Sequence, residues 1–90
     1  MKIKKGIYLH YKGKRYEVLG TVFHSETVEE LVLYKPLYPF SSLPKEKQQE
    51  LEGKGYKGEG AGLWVRPIDI FLEEIEVDGK KVPRFKYAGE

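Results

Sequence analysis

Residues 6–23 read GIYLHYKGKRYEVLGTVF. Apolar and polar side chains alternate through this stretch with a period of two, the spacing of a strand. Between Gly6 and Tyr11, Ile7 and Leu9 alternate with Tyr8 and His10; between Arg15 and Phe23, Tyr16, Val18, Gly20 and Val22 share one side. Lys12-Gly13 sits between the two runs as a two-residue turn. That turn sets Leu9 opposite Tyr16 and Ile7 opposite Val18, and leaves His10–Arg15 and Tyr8–Glu17 on the other face. One face is then apolar and the other polar, so the register is self-consistent. Gly20 on the inner face predicts a bend or a close backbone approach.

Outward from this hairpin the same pattern recurs. Glu30–Tyr34 reads as a buried strand through Leu31, Val32 and Leu33, ended by Pro36 and Pro39. Asp78-Gly79 is a type I′ turn pair. It sets Val77 beside Lys80, Glu76 beside Lys81, Ile75 beside Val82 and Glu73 beside Arg84, and Pro83 makes the final strand an edge. Pro67 opens a single helical turn in which Ile68 and Phe71 meet at i, i+3 and plug one end of the fold. Pro44–Glu52 is a surface helix with Ser42 as cap and Gly53 as stop, and it has no apolar stripe. Gly53–Gly62 holds five glycines in ten residues and reads as a flexible loop. The expected architecture is mainly β: one small antiparallel SH3-like barrel of about five strands over residues 1–90, with a flexible or helical arm at 39–62. An OB-like barrel is the second choice.

Composition excludes several classes. The chain has 90 residues, enough for one small core. It has no cysteine, which removes disulfide frameworks, thiolate zinc sites and cysteine nucleophiles. No apolar run is long enough to span a bilayer, and MKIKKGIY lacks the apolar run of a secretory leader, so the expected setting is cytoplasmic. The net charge is only +2, but it is unevenly spread. The first sixteen positions carry Lys2, Lys4, Lys5, Lys12, Lys14 and Arg15 and no acid, while the remainder has ten basic and fourteen acidic residues.

The chemistry-bearing residues fall into two groups. Trp64 and Arg66 are two apart on a strand, so they point the same way and can offer a stacking ring beside a guanidinium fork. His24 and Glu26 follow the second strand in a polar turn, His24-Ser25-Glu26-Thr27, and are side chains that move protons near neutral pH. Thr27 and Glu30 there resemble a capping box. His10 and His24 lack the further ligands a zinc site needs, so no metal and no cofactor is expected. GxSxG and phosphate-cradling glycine motifs are absent.

Several strings in order, His10-Tyr11-Lys12-Gly13, His24-Ser25-Glu26-Thr27, Trp64-Val65-Arg66-Pro67 and Val82-Pro83-Arg84-Phe85, with Gly6-Ile7-Tyr8, Tyr16-Glu17-Val18, Leu37-Tyr38 and Phe71 among them, resemble the bacterial domain-of-unknown-function family 1653. The likeness covers nearly all of the chain outside 39–62. It implies a small SH3-like β-barrel and carries no activity. Relative to that pattern, the 24 residues between Tyr38 and Leu63 look like an inserted arm, and Ile70 stands where methionine is common.

Three functions follow. The first is a non-catalytic binding module for a peptide or small anion, built by His24, Glu26, Trp64 and Arg66. The second is a nucleic-acid-binding module using Lys4, Lys5, Tyr8, His10, Lys12, Lys14 and Arg15, with Tyr8, His10 and Arg15 on one outer face as a stacking platform. The third is a small enzyme in which His24 and Glu26 transfer protons. For contact with other proteins, the edge at Pro83-Arg84-Phe85 and the arm are the expected surfaces.

Overall fold

The computed structural model describes residues 3–57 and 60–89, so Lys2 and positions 58 and 59 of the glycine-rich loop lie outside it. Strands β1 (Gly6–His10), β2 (Arg15–Phe23), β3 (Glu30–Pro36), β4 (Trp64–Pro67) and β7 (Phe85–Gly89) form one antiparallel sheet in the order β4-β3-β2-β1-β7. Strands β5 (Glu74–Val77) and β6 (Lys80–Pro83) form a separate ribbon. A 3-10 turn at Phe40–Ser42 leads into helix α1 (Lys45–Gly53), and helix α2 (Ile68–Phe71) follows β4. No helix among the described residues is long and apolar enough to cross a membrane.

The expected closed barrel does not form: β4 and β7 are the two sheet edges and do not pair with each other. The sheet instead curls. Register shifts between Val18 and Gly20, and between Ile7 and Tyr8, put extra residues into single strands, which bends and twists them. The curl brings the Arg66 guanidinium of β4 within 5.3 Å of the Phe85 ring centre on β7. Side chains, not backbone hydrogen bonds, bridge the gap.

The first hairpin is displaced by one residue from the expected register. Tyr8 faces Tyr16, Leu9 faces Arg15 and Ile7 faces Glu17. The cause is the turn. Gly13 N–H donates to the His10 carbonyl and His10 N–H to the Lys14 carbonyl, so the loop is three residues, Tyr11 to Gly13, with Gly13 at φ +101°. A one-residue change flips every side chain of β1. Tyr8 is therefore buried and Leu9 exposed. A second parity switch occurs at the Leu19 bulge, after which Thr21, not Val22, lies beside Val32. Gly20, at φ +151°, marks the bend the sequence predicts there.

The C-terminal ribbon matches its expected register throughout, with Glu74–Pro83, Ile75–Val82, Glu76–Lys81 and Val77–Lys80 as partners. Asp78 at φ 52° and Gly79 at φ 78° give the type I′ geometry. Arg84 closes the ribbon with a 3.0 Å ion pair to Glu73. Helix α1 also forms as expected, but Pro44, not Ser42, holds the cap position. The Gln48 amide covers the entry instead, donating to the Leu43 carbonyl at 2.7 Å.

The core lies on the concave face of the sheet: Ile3, Tyr8, Val18, Val32, Tyr34 and Phe85, closed over by Ile68 and Phe71 of α2. It is strongly aromatic. Phe71 and Phe85 stack at 4.1 Å with their planes 2° apart, and Tyr8 meets Phe71 edge-on at 5.5 Å. Tyr8 can be buried because its hydroxyl donates to the Lys4 carbonyl at 2.8 Å.

At the tip of the β2–β3 hairpin, Val28 sits at φ 61° with its side chain exposed. A β-branched residue in this left-handed region costs roughly 1–2 kcal/mol, whereas Asn tolerates it. Val28→Asn is expected to stabilise the fold by about 1 kcal/mol, read as a higher urea midpoint at unchanged slope.

Candidate functional site

The two groups of sequence-selected residues sit apart. His24, Ser25, Glu26 and Thr27 form the exposed hairpin tip beyond the end of β2. The His24 Nδ1 accepts N–H groups from Glu26 at 3.1 Å and Thr27 at 3.3 Å, and lies 3.4 Å from the Glu26 carboxylate. The Ser25 hydroxyl donates to the same carboxylate. The expected Thr27–Glu30 capping pair is replaced by Glu29 N–H donating to the Thr27 hydroxyl at 3.2 Å. These are the local bonds of a turn: they occupy Nδ1 and leave His24 and Glu26 facing solvent. No described contact joins them to Trp64 or Arg66. His24 and Glu26 are within reach of each other, as proton transfer requires.

Trp64 and Arg66 do share a face, as the strand spacing predicts. They lie opposite Tyr34 and Val32, on the concave side of β4, while Val65 points out. Together with Tyr16, Tyr38, Leu43 and Lys47 they line a cleft of about 50 Å³. This is room for one small group, not for a whole side chain and its neighbours.

Each wall has a local cause. Tyr16 stands on β2 opposite Pro36 and meets Tyr34, Tyr38 and Phe85 edge-on at 5.5–5.7 Å. Its hydroxyl lies 3.3 Å from that of Tyr38. Trp64 is fixed by its indole N–H, which donates to the Ala61 carbonyl at 2.7 Å. Gly62 supplies the turn between them: its φ is +86°, a conformation that L side chains rarely adopt, although an added Cβ would itself make only ordinary contact with the indole nitrogen at 3.6 Å. Leu43, buried at the start of the arm, anchors α1 so that Lys47 Nζ hangs 5.1 Å over the Trp64 ring. Lys14 Nζ lies 4.6 Å over the Tyr38 ring.

The electrostatics of this cleft are one-sided. Arg66 and Lys47 line it, Lys14 stands over the Tyr38 ring, and no carboxylate is in the lining. Arg66 is half-buried and, among the described residues, makes no hydrogen bond or ion pair with any side chain. Lysines 14 and 47 also have no ion pair among the described residues. Burial, then the hydrogen bond to Tyr38, push the Tyr16 hydroxyl far above its usual value, so it remains a proton donor.

His10 records the same field from the far side of Tyr16, 6.1 Å away ring to ring. Burial, and then the nearby charges of Arg66, Arg84 and Lys12, lower its pKa below 6.5. Between the lowered value and 6.5 the unfolded chain binds more protons than the folded one. The His10 contribution to stability is therefore complete above about pH 6.5 and is lost as pH falls through the lowered value. His10→Gln is expected to remove part of the fall in melting temperature between about pH 7 and 5, measured by thermal denaturation of both proteins side by side.

The expected nucleic-acid platform does not assemble. Tyr8 is in the core, His10 is half-buried on the same concave side, and Arg15 pairs with Leu9 on the opposite face. Lys4 and Lys12 lie instead over the rings of Tyr87 and Tyr11, while Lys5 stays exposed. The basic charges remain without a common stacking face. Among the described residues no three His, Asp or Glu side chains cluster as metal ligands would.

Sequence reasoning missed Tyr16, Tyr38 and Lys47 as members of the cleft. The signal for Tyr16 was its alternation with Val18, but the hairpin register decided its neighbours. Tyr38 and Lys47 reach the cleft through the turn after β3 and through α1, for which the local sequence has no periodicity.

Comparison with known proteins fits this architecture. A solved crystal structure of a DUF1653 protein from Bordetella bronchiseptica is similar over 98% of this chain and 90% of its own, at 30% identity and a TM-score of 0.71. No curated protein matches. The family described as "Protein of unknown function (DUF1653)" matches residues 6–87. With nearly its whole length matched in sequence and in fold, this chain belongs to the DUF1653 family.

Proposed function

We propose that this domain is a non-catalytic binding module that captures an anionic group, carried by a peptide or a small molecule, in the cleft at Trp64 and Arg66. The observation that carries this reading is the half-buried Arg66 guanidinium among aromatic rings, without a hydrogen-bond or ion-pair partner among the described residues, with Lys47 in the same lining, Lys14 over the neighbouring Tyr38 ring and no acid in the lining. A guanidinium so placed has its donors free for an oxyanion. Tyr16 and Tyr38 add hydroxyls, and Trp64 adds a flat apolar wall. The size of the cleft suits the anionic head only, so the remainder of a ligand lies across the surface. His24 and Glu26 are not part of this pocket. An SH3-like ancestry of the curled sheet belongs to the same proposal, supported by its bulges and by the Arg66–Phe85 bridge between its edges.

Trp64 is the only tryptophan, so its fluorescence reports the cleft alone. Titration with inorganic phosphate, sulfate and a phosphotyrosine peptide is expected to give a saturable change at roughly millimolar or lower concentration. A flat response to all three at equal ionic strength would remove the proposal. A response to single-stranded DNA only, falling steeply with salt, would favour nucleic acid in its place.

A further inference from the structure

The two ends of β2 carry opposite chemistry, and neither belongs to the Arg66 cleft. At one end is the β2–β3 tip. Phe23 is 64% exposed and Val28 is 69% exposed, although both are large and apolar. Glu26 lies between them and Glu29 follows Val28, and positions 16–34 contain four acids and no Lys or Arg. The tip is thus apolar, acidic and held in a strained turn by Val28 at φ 61°.

At the other end, the three-residue β1–β2 turn and the β5–β6 ribbon enclose a groove of about 590 Å³. Leu9, Tyr11, Val77 and Val82 provide its apolar lining. Lys80 and Lys86 stand on its rim against a single acid, Asp78. Lys12 and Arg15 follow in and after the adjoining turn. This end is apolar and basic.

We infer that the tip of one chain docks in the groove of a second copy, so that the protein self-associates head to tail. Charge complementarity selects this occupant. The tip pairs Phe23 and Val28 with Glu26 and Glu29, and the groove pairs apolar walls with Lys80 and Lys86. Docking within one chain is barred, because nine residues of β2 hold the two ends roughly 30 Å apart. The contact uses different patches on the two partners, so it propagates into rings or open chains and does not close as a symmetric dimer. A tip this small buries less than the roughly 1,200 Å² of a stable interface, which makes the association weak and concentration-dependent.

Sedimentation velocity from about 10 µM to 1 mM tests it, at about 20 mM and 500 mM salt. At low salt the weight-average mass is expected to rise about twofold or more across the series, and to fall back to the monomer at high salt. Glu26→Lys with Glu29→Lys should abolish the rise, as should Lys80→Glu with Lys86→Glu. Both pairs are exposed, and circular dichroism of each variant checks that it folds. An equimolar mixture of the two charge-reversed proteins should associate again, since a basic tip then meets an acidic groove. Phe23→Ser should weaken association at every salt concentration. A wild type that stays monomeric at about 1 mM and low salt would overturn the inference. So would a symmetric dimer unaffected by either reversal, or a mixture that stays monomeric.

Discussion

Phe71→Ala is expected to cost about 3–5 kcal/mol and to leave the domain close to unfolding at room temperature. Phe71 is 1% exposed and sits at the join of α2 and the sheet. Its ring stacks on Phe85, meets Tyr8 edge-on and lies 5.8 Å from Tyr34. Removing it deletes apolar burial and leaves a cavity that three rings on separate strands cannot collapse to fill. A 90-residue domain has a total stability of order 5–13 kcal/mol, so one side chain takes a large share. Urea denaturation reads the effect directly. Leu72→Ala, at the exposed neighbouring position, should change stability by less than about 0.5 kcal/mol. A loss below about 1.5 kcal/mol for Phe71→Ala would show that the aromatic stack is not the centre of the core.

Arg66→Met should separate binding from folding. A charge-assisted hydrogen bond is worth about 1.5–3 kcal/mol, so losing the guanidinium should weaken anion binding by roughly 10- to 150-fold. Stability should stay level or rise. Arg66 has no carboxylate partner among the described residues, so its removal orphans no buried acid. Met keeps an apolar stem against Phe85. The His10 pKa should also move back up, since Arg66 is the leading charge that depresses it. Binding is followed by Trp64 fluorescence, stability by urea, and His10 by its ring proton shifts against pH. A protein that binds as before, yet unfolds about 2 kcal/mol more easily, would make Arg66 a structural residue.

Fold and site were legible to different depths, for physical reasons. The Asp78-Gly79 hairpin could be read residue by residue because a two-residue loop of that composition admits one turn geometry. The first hairpin could not. Lys12-Gly13 reads as a two-residue turn, but Gly13 serves as the left-handed residue of a three-residue loop, and the one-residue slip exchanged Tyr8 for Leu9 in the core. Alternation did not warn of this, because tyrosine is apolar enough for a core and polar enough for a surface; the Lys4 carbonyl, several residues away, decides the case. The Leu19 bulge then reset the parity of β2, which no periodic pattern predicts. In the site, the i, i+2 spacing of Trp64 and Arg66 was enough to place them together. Adding His24 and Glu26 assumed that a hairpin tip folds back over the strand end, whereas their bonds are satisfied within the turn. Tyr38, Leu43 and Lys47 reach the cleft because Leu43 is buried ahead of α1 and Lys47 of that helix lies over Trp64.

An oxyanion held by the Arg66 guanidinium would be felt first at the Nε–Hε resonance of that side chain. Titration of ¹⁵N-labelled protein with inorganic phosphate, against sodium chloride of equal ionic strength, should shift the Arg66 Nε–Hε and Trp64 indole signals along one binding curve, while His24 and Glu26 amides stay still. If the Arg66 signal does not move, or moves equally in chloride, the anion-binding account is wrong.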